Sequence, residues 1–499
     1  MSHKRIKIIT AGVILSLFLA SMEGTVIATA MPSIVAQLGG LSIYSWVFAI
    51  YMLASTTTVP IYGKVSDIFG RKKVFTFSMA LFLFGSVLCG LATSMESLIL
   101  FRAIQGLGAG GVLPMALTVI GELYNVEKRA KMQGLISSVW GLSSVIGPLI
   151  GGLLVDQISW EWVFFINLIP GGLAIIFVWF AWIEEETIVK KKVALDVPGV
   201  ILLTLGVLSL LLGLNELQNA SGIWFIMTAL ILLSVLVVVE KKAEDPILPL
   251  ELFRNRLFLV AFLHGILAGW AMFGSLAYIP LFVQAVIGTS ATMAGLSLTP
   301  MSLMWTLTSI VGGRLILKVN FRLLAIIGMI LLMIGSILMT TIGVDSSEPA
   351  IMFYTSLMGI GMGLTIPIFM IIIQTTVPKK VLGTATATIQ FSRNIGGTIG
   401  VSTLGVFLSI RLAKLLVEAG QDISNVSLKS LITPMPGAAQ SFSEPLRIAL
   451  SVAMANMSYI TFAAAVLGFI VVLFTPRGMV TQLASSPAET HLEAKELSS

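Results

Sequence analysis

The chain has 499 residues, of which 57% are hydrophobic and only 11% are charged. Soluble domains carry about 25% charged residues, so this composition excludes a soluble globular protein and predicts one that crosses a membrane many times. Lysine and arginine outnumber aspartate and glutamate by 30 to 24, which gives a net charge of +6. The single cysteine, Cys89, excludes an intramolecular disulfide and a cysteine metal cluster.

The first apolar run, 8–35, contains one acid, Glu23, near its middle. An ionised carboxylate at that depth in a bilayer costs roughly 2.5 kcal/mol or more. We therefore expect Glu23 to bind a proton, to pair with a cation or to face a water-filled cavity. The alternative is a neutral carboxyl that is hydrogen-bonded to a neighbouring serine or threonine.

About 20 apolar residues are needed to cross a bilayer as a helix, and the chain contains fourteen runs of sufficient length. In chain order they are 8–35, 43–62, 74–93, 97–123, 131–155, 162–182, 197–217, 222–239, 257–285, 292–317, 322–343, 350–377, 384–410 and 452–474.

The basic residues predict the orientation of these runs. When the loops are assigned alternately to the two faces, 24 of the 30 lysines and arginines lie on one face. Basic loops stay in the cytoplasm, so both termini are predicted to be cytoplasmic. The positive charge is then a topology signal and does not indicate nucleic-acid binding.

The two halves of the chain also resemble each other. The segment that begins at Gly134 matches the one that begins at Gly383, an offset of 249 residues that aligns Gly147 with Gly396. We therefore predict two related six-helix bundles, 1–190 and 246–477, with two inserted helices between them in 191–245. Residues 478–499 are predicted to be a disordered cytoplasmic tail. Such duplicated halves place a substrate site between them near the midplane of the membrane.

Four motifs occur in order in the first half: MEGTVIATAMP (22–32), GKVSDIFGRKK (63–73), FRAIQGLGAG (101–110) and GLSSVIGPLIGG (141–152). Together they resemble the major facilitator superfamily, and in particular its fourteen-helix drug:proton antiporters of the QacA/EmrB type. The resemblance implies an all-α polytopic membrane protein with the major facilitator fold, and a transporter rather than an enzyme.

In that family, the loop after the second helix holds the two bundles together when the substrate site faces outward. The resemblance assigns this conformational switch to five residues here. Asp67 and Arg71 are four residues apart and can pair if the turn stays helical. The full set is Gly63, Asp67, Gly70, Arg71 and Lys72.

Arg102 lies a few residues inside the outer end of the fourth predicted helix, with Gln105 one turn away. The resemblance implies that this arginine assists proton transfer with the first helix, so Glu23, Arg102 and Gln105 form the predicted proton-coupling and substrate-binding site. The alternative is that Arg102 extends to the lipid headgroups.

The fifth predicted helix carries the motif that the family associates with export. Pro148 is expected to bend the helix, and Gly147, Gly151 and Gly152 are expected to offer a smooth face to the other bundle.

Further charged or polar residues in the apolar runs are secondary candidates. Glu122 and Glu216 are possible proton or cation sites, with a solvated position at the membrane edge as the alternative. His264 is expected to be packed or to line the pore, and Arg393 is predicted to face Glu23 or Arg102 across the cavity. Glu23 itself departs from the family motif, which usually has aspartate.

These observations lead to the hypothesis of proton-driven efflux of lipophilic cationic drugs across a bacterial plasma membrane. The predicted transporter is a monomer that needs no cofactor beyond the proton gradient, and the chain has no nucleotide phosphate-loop motif. An exporter of one endogenous metabolite or siderophore, or a proton-coupled uptake symporter, is the alternative. Nothing in the sequence supports a membrane-embedded enzyme or sensor.

Overall fold

The computed structural model describes residues 2–39, 43, 46–183, 196–216, 220–243, 246–289, 296–419 and 444–480. Within these ranges the regular structure is helical and contains no β-strand. The segment 411–451, between the last two predicted runs, and the predicted tail 478–499 lie largely outside the described residues.

The first bundle is built around α1 and α4. The helix α1 contacts α4, α5 and α7, and α4 packs against both α2 and α3. The helices of this bundle are α1 (His3–Leu38), α2 (Trp46–Phe69), α3 (Arg71–Gly90), α4 (Met95–Leu123), α5 (Val126–Gln157), the short α6 (Trp162–Phe165) and α7 (Leu168–Ala181).

Two helices follow as a hairpin, and a second bundle comes after them. In the second bundle, α11 contacts α15 and α16, and α14 packs against α12 and α13. The hairpin consists of α8 (Val197–Asn215) and α9 (Ala220–Glu240). The later helices are the short α10 (Leu250–Arg254), then α11 (Arg256–Phe282), α12 (Thr299–Leu315), α13 (Phe321–Leu338), α14 (Glu348–Thr376), α15 (Leu382–Glu418) and α16 (Glu444–Leu473).

Eleven helical segments of the described residues are long and apolar enough to cross a membrane. Three further long helices, α2, α5 and α12, do not meet the same length and hydropathy requirement. They lie where the bundles meet, since α2 packs against α15 and α5 packs against α12. A helix that is covered by protein on two sides needs less apolar surface than one that faces lipid. The count of fourteen spans remains a prediction.

The helix α15 extends beyond the predicted run 384–410 and ends only at Glu418. The reason is a stripe of leucines at every fourth position, which places them on one helical face. All four are buried: Leu404, Leu408, Leu412 and Leu416. The apolar packing of this helix therefore continues beyond the predicted run.

The contacts between the two bundles follow two seams. One seam joins α2 to α15 and the other joins α5 to α12. The helix α8 of the inserted hairpin contacts both α2 and α15, so the hairpin covers the first seam from outside.

Glycines allow α3 and α4 to approach closely. These contacts fix the position of α4 along the axis of α3. A Cβ atom added at Gly85 would lie 2.5 Å from the backbone nitrogen of Gln105, and one at Gly111 would lie 2.5 Å from the Cβ of Ser78. Small residues at helix contacts are the usual means of close packing in membranes. Because Gln105 is one of the predicted site residues, this contact also positions the site.

We expect Gly85→Ala to destabilise the protein, because the new methyl group would collide with the backbone of α4 and overpacking costs about 1–3 kcal/mol. The matched control is Gly172→Ala in α7, where a Cβ atom meets no other atom within 4 Å. Thermal unfolding of the two purified variants in detergent measures the difference. Equal melting temperatures for both variants would contradict the close α3–α4 contact.

Candidate functional site

Glu23 lies in α1 with a side chain that is only 3% exposed. Met22 before it in the chain and Val26 and Ile27 one helical turn after it are buried apolar residues. Water therefore has little access to the carboxylate in this conformation, and its charge must be compensated by protein groups.

Arg102 and Gln105 of α4 supply that compensation at one carboxylate oxygen. The Nη1 of Arg102 lies 2.5 Å from Oε1 of Glu23, and the Nε2 of Gln105 donates to the same oxygen at 2.9 Å. The Oε1 of Gln105 in turn accepts from Arg102 Nη1 at 2.7 Å. Because the two α4 residues are one helical turn apart, both reach Glu23 from the same face of the helix.

Asn167 supplies the partner of the other carboxylate oxygen, and the sequence analysis did not find it. Its Nδ2 donates to Glu23 Oε2 at 3.0 Å and to Ser86 Oγ at 3.0 Å. Asn167 lies in the interruption between α6 and α7, where the predicted run 162–182 breaks into two helices. A lone asparagine inside an apolar run was the available signal. We name these five residues the Glu23 cluster: Glu23, Ser86, Arg102, Gln105 and Asn167.

The guanidinium of Arg102 faces the bundle interior and does not extend to the headgroups. Its side chain is 1% exposed, its Nε donates to the carbonyl of Val47 at 3.2 Å, and its Cζ lies 4.0 Å from the ring centroid of Tyr51. Besides Glu23, this cation therefore has a carbonyl, an amide oxygen and an aromatic face. Such partners reduce the cost of leaving the guanidinium buried when the carboxylate becomes neutral.

The predicted conformational switch lies at the C-terminal end of α2. Val47, whose carbonyl accepts from Arg102, lies at the N-terminal end of the same helix. The Oδ1 of Asp67 accepts from the backbone nitrogen of Gly383 at 2.9 Å, and Oδ2 accepts from the backbone nitrogen of Thr384 at 2.7 Å and from its hydroxyl at 2.6 Å. These are the first residues of α15, so the carboxylate caps a helix N-terminus in the other bundle, where negative charge is favoured.

Arg71 extends the same contact. Its Nη2 lies 2.5 Å from Asp67 Oδ1 and donates to the carbonyl of Lys379 at 3.1 Å. The pair forms across a break in the helix and not within a continuous turn, because Gly70 has φ 92°. That positive φ is readily adopted by glycine alone, and it turns the chain from α2 into α3.

Glu122 and Lys72 also lie at this end of the molecule. Glu122 Oε2 is 3.0 Å from Arg71 Nε, so this acid joins the switch rather than the Glu23 cluster. The Nζ of Lys72 lies 4.7 Å from the ring centroid of Trp179 in the same bundle. A Cβ atom at Gly63 would lie 2.9 Å from the carbonyl of Gly383, so Gly63 allows the close approach of α2 and α15. We name Asp67, Arg71, Glu122, Gly383 and Thr384 the polar seam.

A further contact between the bundles joins α5 to α14 through Arg129, one of the basic residues that the sequence analysis used only to predict orientation. Arg129 Nη1 donates to the carbonyl of Gln374 at 2.7 Å, and its Nε donates to the carbonyl of Tyr124 at 2.7 Å. The Nε2 of Gln374 donates back to the carbonyl of Leu117 at 3.0 Å.

The glycines of α5 differ from our expectation. Gly147 does not face the other bundle; a Cβ atom there would collide with Thr25 Oγ1 of α1, because α1 and α5 pack closely. Gly151 is buried, and a Cβ atom at Gly152 would meet nothing within 4 Å. Two other glycines of α5 face the second bundle: a Cβ atom at Gly134 would lie 2.7 Å from Ile310 Cγ1, and one at Gly141 would lie 2.8 Å from Thr306 Oγ1. The side chain of Pro148 lies outside the described residues.

Two secondary candidates lie away from the Glu23 cluster. Glu216 follows the last residue of α8, where its carbonyl packs against Gly222 of the hairpin. No described contact joins Arg393 to Glu23 or Arg102, so its position across the cavity from them stays a prediction. Its Nη2 donates to Oε1 of Gln390 at 2.6 Å, inside the second bundle. The described partners of Glu23 all belong to the first bundle, so the two arginines occupy separate sites.

The chemistry available to the Glu23 cluster is the gain and loss of one proton. Among the described residues, no group of three or more histidine, cysteine, aspartate or glutamate side chains is arranged to hold a metal ion.

Comparison with known proteins agrees with this architecture. The family model of the Major Facilitator Superfamily matches residues 13–401. Over 450 residues, the chain is 39% identical to the multidrug transporter protein MdtP of Bacillus subtilis strain 168, covering 89% of this chain and 81% of that one. Multidrug resistance protein 3 of the same strain is 37% identical over 450 residues, with 89% and 86% covered.

A solved structure of the proton:xylose symporter XylE superimposes with a TM-score of 0.64 over 97% of this chain and 99% of that chain. Its sequence identity is 14%, so this likeness concerns the fold alone. The all-helical major facilitator fold predicted from the motifs is confirmed, and the relatives are transporters rather than enzymes. With a family model that spans most of its length and relatives of this similarity, the chain belongs to the major facilitator superfamily of membrane transporters.

Proposed function

We propose that this transporter is a drug:proton antiporter of the fourteen-helix QacA/EmrB type that exports lipophilic compounds from a bacterial cell. The observation that carries the proposal is the buried Glu23–Arg102 pair, with 2.5 Å between Oε1 and Nη1. A titratable group at membrane depth marks a proton or substrate pathway. The multidrug transporters that the chain resembles support the substrate class.

Proton binding at Glu23 changes the electrostatic balance of the first bundle. A protonated carboxyl no longer compensates the guanidinium of Arg102, which then relies on Gln105 Oε1, the carbonyl of Val47 and the ring of Tyr51. Breaking a buried ion pair costs about 3–5 kcal/mol when one charge is left without a partner. Protonation therefore favours a rearrangement of α1 against α4, and we propose that this rearrangement is coupled to transport.

In this proposal, the hydrogen bonds of the polar seam form in one conformation of the transport cycle and break in the other. In the described conformation, Asp67 and Arg71 join the bundles at the end where α3 and α15 begin. We propose that this end faces the cytoplasm, together with both termini, and that the substrate site then opens outward. A rocking motion that opens this end must break the hydrogen bonds of Asp67 to Gly383 and Thr384.

The preference for cationic drugs stays a prediction, and the structure changes its basis. Glu23 was expected to attract a lipophilic cation, but its carboxylate is occupied by Arg102. A cationic substrate must therefore displace the guanidinium or bind elsewhere in the cavity. In our proposal the protein acts as a monomer, with protons and lipophilic small molecules as its partners and the proton gradient as its sole source of energy.

An exporter of a single metabolite or siderophore, or a proton-coupled uptake symporter, is the second candidate. The observation that favours it is Arg393, a cation in the second bundle that contacts Gln390 and forms no ion pair with a described acid. Transport in sealed vesicles with an imposed proton gradient distinguishes the two directions. Accumulation with the proton flux indicates uptake, and accumulation against it indicates export.

We expect Glu23→Gln to abolish proton-driven efflux of an ethidium-like dye, because the amide cannot bind or release the proton. The measurement is dye efflux from proteoliposomes across an imposed pH gradient, with a reduction of at least about a hundredfold, typical of the loss of an essential proton-transfer group.

The matched control is Glu96→Gln, at an exposed position in the first turn of α4. This variant should retain wild-type efflux. Undiminished proton-driven efflux by a folded Glu23→Gln protein would refute the antiport proposal.

We expect Asp67→Asn to weaken closure of the polar seam. The amide cannot form the ion pair with Arg71, and its NH₂ group opposes the donors at the start of α15. Loss of charge-assisted hydrogen bonds costs about 2 kcal/mol, which is roughly thirtyfold in the equilibrium between conformations. Distances between spin labels at positions 73 and 380 should shift toward the separated state.

The control for this experiment is Asp345→Asn at an exposed loop position. It should leave the distance distribution unchanged. An Asp67→Asn variant with the wild-type distribution would show that Asp67 does not stabilise closure.

A further inference from the structure

The second bundle contains a buried polar pocket, separate from the Glu23 cluster. Its cavity has a volume of about 20 Å³ and lies between α11, α14 and α15. One water requires roughly 10–15 Å³, so the space suffices for a small polar group but not for a whole drug molecule. Residues that line it are His264, Ile366, Phe369, Met370, Gln390 and Arg393.

Arg393 brings a positive charge to this pocket, and no described carboxylate pairs with it. Its Nη2 donates to Gln390 Oε1 at 2.6 Å, and its Nε is buried with no hydrogen-bond partner in the described part of the chain. Arg102 in the first bundle is the contrasting case, because its guanidinium is paired with Glu23.

The three helices around the pocket cannot supply the missing anion. The helix α11 contains no acidic residue. The only acids of α14 and α15 are Glu348, the first residue of α14, and Glu418, the last residue of α15. Glu418 is 25 residues from Arg393, which at 1.5 Å per residue places it roughly 37 Å away along the helix. The fold thus holds a cation at this depth with no acid near it on the surrounding helices.

His264 provides a second unpartnered polar group that is directed into the same pocket. Its side chain is 1% exposed, its Nε2 has no hydrogen-bond partner, and its ring lies 4.6 Å from the ring of Phe369, centroid to centroid. A buried polar atom without a partner is costly, and a ligand that accepts a hydrogen bond removes that cost. Gln390, which is 2% exposed, is held by Arg393 on one side and by Asn394 on the other.

We propose that this pocket binds the anionic group, a carboxylate, of an amphiphilic substrate. The guanidinium of Arg393 donates two N–H groups to the carboxylate, a geometry that arginine favours, and His264 donates from Nε2. The apolar side chains of Ile366, Phe369 and Met370 contact the adjoining apolar part of the molecule. This proposal rests on the proposed function, because it takes the ligand to be a transport substrate. It adds amphiphiles that carry a carboxylate to the lipophilic compounds that the protein is proposed to export.

The test measures binding of two matched probes, pyrenebutyrate and its uncharged methyl ester, to the full-length protein in nanodiscs without a proton gradient. Wild-type protein should bind the carboxylate at least about tenfold more tightly than the ester, as expected for a charge-assisted hydrogen-bonded pair. In Arg393→Gln this preference should fall to about twofold or less, with ester binding unchanged.

Arg447→Gln is the matched control, since Arg447 is partly exposed and pairs with Glu444 at 3.4 Å, away from the pocket. It should retain the wild-type preference. If Arg393→Gln does not fold, His264→Leu serves in its place and should reduce the preference about threefold. A wild-type protein that binds ester and carboxylate equally, or a variant that loses both equally, would overturn the proposal.

An anionic lipid headgroup presents related chemistry, and the composition of the nanodisc distinguishes it. Carboxylate affinity that is the same in phosphatidylcholine discs and in discs with phosphatidylglycerol supports a substrate site. Affinity that falls as phosphatidylglycerol increases would overturn this assignment in favour of a lipid.

Binding of the anion in Glu23→Gln separates this proposal from the transport mechanism. We expect that variant to retain the carboxylate preference even where proton-driven efflux is lost. Failure of the antiport proposal leaves this binding result intact, and failure of the pocket proposal leaves the efflux result intact.

Discussion

The ion pair between Glu23 and Arg102 is the interaction on which the site depends. Two opposite charges at membrane depth are tolerated only as a pair with their remaining hydrogen bonds satisfied. The first bundle meets that condition by bringing Gln105 and Asn167 to the two carboxylate oxygens. The close contact of α3 with α4 at Gly85 and the break between α6 and α7 are the structural means by which these groups reach Glu23.

The two bundles share an architecture but handle charge differently. In the first bundle the arginine is compensated by an acid of the same bundle, so proton binding directly alters its partners. In the second bundle the described partner of Arg393 is the neutral Gln390. The two halves of a duplicated fold have thus diverged in charge, since one holds a carboxylate–guanidinium pair and the other a guanidinium bonded to an amide.

The sequence predicted those parts of the site that depend on a charge inside an apolar run or on short spacing. Glu23 and Arg102 are conspicuous for that reason, and the four-residue spacing of Asp67 and Arg71 indicated their pairing. Asn167 escaped prediction because the run 162–182 was taken as one helix, although Pro170 in the first turn of α7 is a signal of a helix start. Arg129 escaped because its hydrogen bond to Gln374 joins residues 245 positions apart.

The direction in which side chains point around a helix was the other feature that the sequence did not predict. The glycines of α5 were recognised as packing residues, but Gly147 contacts Thr25 of α1 while Gly141 faces Thr306 of the second bundle. The direction in which a side chain points is decided by tertiary packing, which spacing along the chain does not contain.

The inserted hairpin gives the molecule an asymmetry that neither bundle has. Because α8 contacts both α2 and α15, it spans one of the two seams, whereas no comparable contact joins the described hairpin to α5 or α12. Relative displacement of the bundles must therefore shear the interface of α8 on that flank. We expect the pivot of the motion to lie closer to the hairpin, with the larger excursion on the opposite flank.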